Sequence, residues 1–190
     1  MIKRIIAFAI CIILFEHLIN AQTRTLTVAP LGLVNKIRIK YEQQLTIDEL
    51  SVGSYFNIYY AYFEGLRIDP FTRLYFFSEE MKGLYLQLKV MGGIFQNNLV
   101  YKYYTPTDTL SVKQMTNYYS FGAGPAVGYQ WYFNSKIPLD IFVGFNLNKI
   151  TAPQSIIKNN MRYELFDDAL WYVTGPGSIF HMHIGIGFKF

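Results

Sequence analysis

The feature that most constrains this chain is an alternation of period two whose faces have opposite character. In Lys36-Ile37-Arg38-Ile39-Lys40-Tyr41-Glu42 every even position is charged and every odd one apolar, as in a strand whose successive side chains point to opposite faces. From 120 to 133, Phe121, Ala123, Val127, Tyr129, Trp131 and Phe133 share one parity, and Ser120, Gly122, Gly124, Ala126, Gly128 and Gln130 the other. The last stretch sets Phe180, Met182, Ile184, Ile186, Phe188 and Phe190 against His181, His183, Gly185, Gly187 and Lys189. A water-soluble barrel turns its greasy face inward, where that face must fit a small core. Here the greasy face carries the largest side chains and the other face carries glycine and charge. That suits a barrel turned inside out, with bulk toward lipid and small or charged groups toward the lumen. An exported lipocalin-like barrel alternates equally well, so strand lengths, loops and the terminus carry the decision.

The pattern predicts eight strands, at 24–30, 34–44, 51–63, 66–77, 83–95, 120–133, 138–147 and 178–190. The first is short and contains Pro30. Eight is an even number, as in bacterial single-chain barrels, and most of the strands reach the ~9–11 residues that a tilted strand needs to cross a bilayer. The fold expected is all-β: an eight-stranded antiparallel up-and-down transmembrane barrel. If both termini are periplasmic, the links at 46–50, 78–82 and 134–137 face the periplasm and are short, whereas of the outward links 96–119 and 148–177 are long and polar and those near 31–33 and 64–65 are very short. This asymmetry is usual in outer-membrane barrels. Phe76, Trp131, Phe133, Phe188 and Phe190 fall at strand ends on the periplasmic side, as one aromatic girdle would. Ile39, Phe56, Leu86, Val127, Val143 and Ile184 are expected to face lipid.

Residues 1–21 read as a secretory signal. Lys3 and Arg4 make the positive end, Ile5 to Phe15 an apolar stretch of eleven residues, and Ala21-Gln22 the junction. Eleven residues are too few for a helix to span roughly 30 Å. The domains expected are therefore a signal peptide at 1–21 and a barrel at 22–190, exported by the general secretory route to the cell outer membrane. The single cysteine, Cys11, lies in the leader, so the remainder holds no disulfide and no cysteine-based metal site. The net charge of +4 in 190 residues is small and scattered, which argues against a nucleic-acid arm. Phe, Tyr and Trp make up 18% of the chain, which argues against disorder.

Several short motifs carry a resemblance: Tyr41-Glu42 closing one strand, Arg73-Leu74-Tyr75-Phe76 closing another, Gly83-Leu84-Tyr85 opening the next, Gly128-Tyr129-Gln130-Trp131 followed by Leu139-Asp140, and the Ala21-Gln22 junction. Through them the chain resembles the small outer-membrane β-barrel proteins of unknown function found in Bacteroidota. The resemblance covers most of the chain after the leader. It implies a fold and a location, and no activity.

The lumenal parity gathers Arg38, Lys40, Glu42, Arg67, Asp69, Arg73, Gln87, Lys89, Gln130, Asp140, His181, His183 and Lys189. Eight strands leave room for side chains or for one small ligand, so a packed network of ion pairs plugging the barrel is the expectation. Glu42 is expected to pair with Arg73, and Asp140 with Lys189. His181 and His183 share a face; hydrogen bonding in the lumen is expected for them rather than metal ligation, and no metal or cofactor site is read. Ser178 has the opposite parity to both histidines and is expected to face away unless the strand starts later, so no nucleophile–base pair is read, and no catalytic residue is assigned. Gly122, Gly124 and Gly128 continue into a strand, unlike a phosphate loop; they are expected to make room for long side chains such as Arg73. Tyr101, Tyr103, Tyr104, Tyr118 and Tyr119 either bind a sugar or protein surface or extend the neighbouring strands. Leu165-Phe166 and Ala169-Leu170-Trp171-Tyr172 form an apolar patch.

The function expected is that of a non-enzymatic outer-membrane barrel, structural or surface-binding. The alternatives are a lipid-modifying enzyme and a small-ligand carrier or channel. The partners expected are outer-membrane lipid, the barrel-assembly machinery at the C-terminal strand, and a surface ligand at the 96–119 and 148–177 loops, with no nucleic acid.

Overall fold

The computed structural model describes residues 23–61, 64–76, 80–104, 109–151, 161–163 and 175–190. The signal segment and the patch at 165–172 lie outside them. The strands are β1 (Arg24–Val28), β2 (Lys36–Gln44), β3 (Leu50–Tyr59), β4 (Glu64–Tyr75), β5 (Gly83–Tyr104), β6 (Thr109–Phe133), β7 (Ile137–Phe145), β8 (Leu147–Ile150), β9 (Met161–Tyr163) and β10 (Phe180–Lys189). β1 to β7 pair antiparallel in sequence order, β10 pairs with β7, and β1 closes the sheet onto β10. The result is a closed eight-stranded antiparallel barrel. Its seam is pinned where Arg24 and Phe190 exchange backbone hydrogen bonds of 3.0 and 2.9 Å.

The short first segment is a barrel strand, but it ends at Val28; Pro30, which cannot donate to a ladder, opens a 3₁₀ turn at Pro30–Val34 instead. The strand expected at 138–147 runs further. Leu147–Ile150 continues β7 in unbroken register along β6. The interruption falls where Pro125 offers no N–H and the Asn146 amide turns to the Ile179 carbonyl at 2.7 Å.

Two expected loops need correction. Most of 96–119 is strand: β5 and β6 stay paired without a slip from Gly83↔Gln130 to Tyr104↔Thr109. β4 ends alongside Gln96, so 97–104 and 109–116 rise beyond the barrel as a two-stranded ribbon of eight residues per arm, or ~26 Å at the usual strand rise. The physical reason is local: Val100, Tyr101, Tyr103, Tyr104, Thr109 and Val112 favour strand. In the second loop, Met161–Tyr163 adds as β9 to the ribbon's β5 edge.

The barrel has two unlike ends. The termini and the links after Gln44, Tyr75 and Phe133 lie at one, the terminal end; the ribbon rises from the other, the ribbon end. The turn after Phe133 uses Asn134 and Ser135 at φ 49° and 56°. That left-handed region suits Asn. Met81, at φ 42° and fully buried, folds under the terminal end.

Inside and outside follow the alternation. Phe56, Leu86, Val127, Val143 and Ile184 are exposed on the outer face and Ile39 is half-buried there. Lys40, Glu42, Asp69, Arg73, Gln87, Gln130 and Asp140 have no exposed surface at all. The interior also holds an apolar cluster that includes Tyr55, Phe71, Tyr75, Met81, Tyr85 and Phe142. Gly128 makes that possible, though its neighbour is Tyr85 rather than Arg73: a Cβ at 128 would meet the Tyr85 ring at 2.5 Å and the Ile141 carbonyl at 2.6 Å. A Cβ at Gly92 would make only an ordinary van der Waals contact, with the Phe121 ring at 3.9 Å. Gly128→Val should therefore lower the urea midpoint by the equivalent of about 1–3 kcal/mol, whereas Gly92→Ala should leave it nearly unchanged.

Candidate functional site

The lumen is the candidate site, and its residues sort into two clusters along the barrel axis. The terminal-side cluster is built on Arg73 of β4. Its Nη1 donates to Glu42 Oε2 of β2 at 2.9 Å and its Nη2 to Asp140 Oδ2 of β7 at 2.9 Å. Lys40 Nζ bridges the same two carboxylates at 2.7 and 2.8 Å. Two cations thus face two anions, and neutral groups complete the shell. Glu42 Oε1 accepts from Ser51 at 2.6 Å and from Tyr75 at 2.7 Å. Asp140 Oδ1 accepts from the Tyr85 hydroxyl. Gln87 accepts from Arg73 Nε at 2.9 Å, and Gln130 accepts from Lys40 at 2.9 Å while donating to the Met81 carbonyl at 2.8 Å. The guanidinium lies 4.0 Å from the Tyr85 ring centre and 4.8 Å from that of Phe71, so its faces are covered as well as its edges.

The ribbon-side cluster is less balanced. Arg67 and Asp69, neighbours in parity on β4, form one ion pair with Nε–Oδ1 at 2.8 Å. Asn57 links it to Arg38, donating to Asp69 at 3.2 Å and accepting from Arg38 Nε at 2.7 Å. Lys36 donates to the Tyr59 hydroxyl at 3.4 Å. Lys89 is buried, with its ammonium 5.9 Å from the Phe142 ring centre. The histidines differ from expectation. Instead of hydrogen bonding, they pack on aromatic rings: His183 is stacked on Phe142 at 5.2 Å and His181 is edge-on to it at 4.8 Å. His183 Nε2 also lies 3.9 Å from Asp140 Oδ2, beyond hydrogen-bond reach.

Two further expectations are corrected. Lys189 does not reach Asp140. It sits at the rim, half-buried, and binds Glu80 Oε2 at 2.9 Å, because Asp140 is already saturated by Arg73 and Lys40. That hydrogen bond and the ammonium charge hold the exposed Glu80 carboxyl below its ordinary range. Ser178 does not face away. β10 begins only at Phe180, so strand parity does not extend to Ser178; it is buried, its carbonyl accepts from Asn146 and Asn148 at 3.1 and 2.8 Å, and its hydroxyl bonds to the Phe180 carbonyl. Phe76, Trp131, Phe133, Phe188 and Phe190 are all exposed on the outer face at the terminal end. Tyr118 lies inside, stacked on Phe95 at 5.5 Å, and Tyr119 outside, beside Phe121.

Reading charges alone missed Ser51, Tyr55, Tyr75 and Tyr85, whose hydroxyls complete the network. The signal was present, since Tyr75 shares the parity of Arg73, and Tyr85 that of Gln87. Among the described residues no group of three or more His, Cys, Asp or Glu could hold a metal ion. Each carboxylate oxygen of Glu42 and Asp140 is engaged by a cation or a hydroxyl, an arrangement suited to holding strands together rather than to moving protons.

A family model, described as a protein of unknown function (DUF3575), matches residues 5–165. The chain belongs to this family. No curated protein and no solved structure matches it significantly.

The network makes a graded prediction. Arg73→Met leaves two buried carboxylates to one lysine and should cost about 3–5 kcal/mol in urea unfolding. Adding Glu42→Gln should recover part of that loss, because neighbours in one network are not additive. Glu80→Gln, which removes an exposed pair, should shift the midpoint very little. What the Glu80 pair does contribute is present at neutral pH and fades as pH falls through the lowered carboxyl value.

Proposed function

We propose that this member of the DUF3575 family is a non-enzymatic bacterial outer-membrane barrel, plugged by its own side chains, whose role is structural or surface-binding. The observation that carries the proposal is the inversion of the two faces. Leu66, Ile68, Leu86, Leu88, Val90, Ile94, Phe121, Val127, Val143 and Phe180 are exposed while Lys40, Glu42, Arg73 and Asp140 are sealed inside. Water-soluble monomers rarely expose apolar patches beyond a few hundred Å², whereas a bilayer favours such a face. The closed ladder supports the same reading, because an open sheet edge is not tolerated in hydrocarbon. So do the strand lengths: β2, β3, β7 and β10 have nine or ten residues and β4 twelve, close to the ~9–11 needed to cross.

The aromatic belt at the terminal end then lies at the periplasmic interface, and the C-terminal strand is the segment offered to the assembly machinery. The ribbon stands outside the cell. Its height above the barrel, with Tyr101, Tyr103 and Tyr104 along it, supports a surface-binding role. The leader at 1–21 and the resemblance to small Bacteroidota barrels fit this location.

In cell fractions the protein should require detergent for release and should migrate faster in gels when unheated than when boiled. Full recovery in the periplasm without detergent would overturn the membrane reading. Leu86→Arg should cost about 2–4 kcal/mol at the midplane. A membrane-embedded photolabel should react at position 86 and not at Gln87; the reverse would invert the facing. An altered lipid profile in a deletion strain, restored by complementation with the active chain, would favour a lipid-modifying enzyme instead.

A further inference from the structure

We propose that the ribbon-side half of the lumen binds a small monovalent inorganic anion of halide size, held between Lys89, Arg38 and the two histidines. The first observation is a charge imbalance. Among the described residues this half buries Arg38, Arg67 and Lys89, with Lys36 half-buried beside them, and it buries one carboxylate, Asp69, since Glu64 lies exposed on the rim. Asp69 is occupied by both Arg67 and Asn57. Arg38 therefore has neutral acceptors, Asn57 Oδ1 at 2.7 Å and the Met182 carbonyl at 3.3 Å.

The second observation is a set of buried donors with no acceptor. Among the described residues, no group hydrogen-bonds Lys89 Nζ or any of the four ring nitrogens of His181 and His183. Lys89 and His183 are 3% exposed and His181 4%. Each imidazole carries at least one N–H, so among the described residues the site presents several unpaired donors beside Lys89 and Arg38, with the Asp140 carboxylate, already held by Arg73 and Lys40, 3.9 Å from His183 Nε2 on its terminal side. A water molecule would satisfy a donor but would leave the charge uncompensated, which is costly in a buried site.

The third observation is convergence. Both imidazoles and the Lys89 ammonium lie against Phe142, at 4.8, 5.2 and 5.9 Å from its ring centre. Tyr55 touches the same ring at 5.8 Å and carries the Arg38 guanidinium at 5.9 Å. Residues from β2, β3, β5, β7 and β10 therefore meet at one level. Among the described residues of these strands the backbone amides are spent in the ladder, so they offer no main-chain cradle for a phosphate. Ammonium, guanidinium, imidazole N–H and the positive edges of aromatic rings suit a spherical, weakly hydrated ion. The inference needs only the closed barrel and stands independently of the membrane reading.

The test uses the full-length chain, folded and purified, with sodium bromide as probe against sodium gluconate at equal ionic strength. Bromide should raise the melting temperature in a saturable way, and Lys89→Met should abolish the dependence while melting no lower than wild type in gluconate. Wild type that ignores bromide, or a Lys89→Met variant that still responds, would overturn the proposal. If Lys89→Met does not fold, bromide-soaked crystals of wild type decide: an anomalous peak in contact with Lys89 Nζ supports the site, and its absence overturns it.

Discussion

Arg73 stands where no water reaches it, so the barrel must supply every group that a guanidinium needs. It does so from strands on both sides of the lumen: Glu42 on β2 and Asp140 on β7, with Lys40 between them and Gln87 and Gln130 alongside. Six of the eight barrel strands contribute a partner to this one cluster. A buried ion pair is weak evidence of net stabilisation, because desolvation offsets the attraction. Its value here lies in uniqueness. A slip of one residue in any of these strands would turn charge outward and strand the remaining partners inside. The network therefore ties the sheet's register to its closure.

That arrangement reverses the usual distribution of forces. In an ordinary barrel the apolar face is hidden on closure, and burial there drives folding. Here closure hides charge together with a few aromatics, and leaves large apolar side chains outside. The interior can be polar only because nearly every donor and acceptor in the terminal-side half finds its complement. The exterior can be apolar only if something other than water covers it, and on our proposal that cover is lipid.

The two halves of the lumen differ in a way that neither fold nor family describes. In the terminal-side half two cations balance two carboxylates whose oxygens are all engaged, so its residues are committed to one another. Among the described residues the ribbon-side half buries more cations than carboxylates, and its imidazoles, without hydrogen-bond partners, gather around Phe142. A plug and a recognition site can thus share one lumen, divided by depth rather than by strand.

Alternation alone was enough to place the inward and outward faces, from Arg38 and Ile39 to Gln87 and Leu86, because strand geometry ties facing to parity whatever the neighbours are. It was also enough for the eight barrel strands and for bringing Glu42 and Arg73 to the same depth. It could not decide where β5 and β6 stop, since a ribbon held by its own cross-strand pairing needs no hydrophobic face to mark it. Nor could it assign partners. Lys189 turns to Glu80 and leaves Asp140 to Arg73 and Lys40, and the histidines meet Phe142 instead of a hydrogen-bond acceptor, because who meets whom across a lumen depends on strand stagger and on which side chain arrives first at a shared site. The chain by itself determined the fold class and the facing of its strands, since both follow from local periodicity. Only the closed tertiary structure decided the charge balance of each half of the lumen, since that is a sum over strands far apart in sequence.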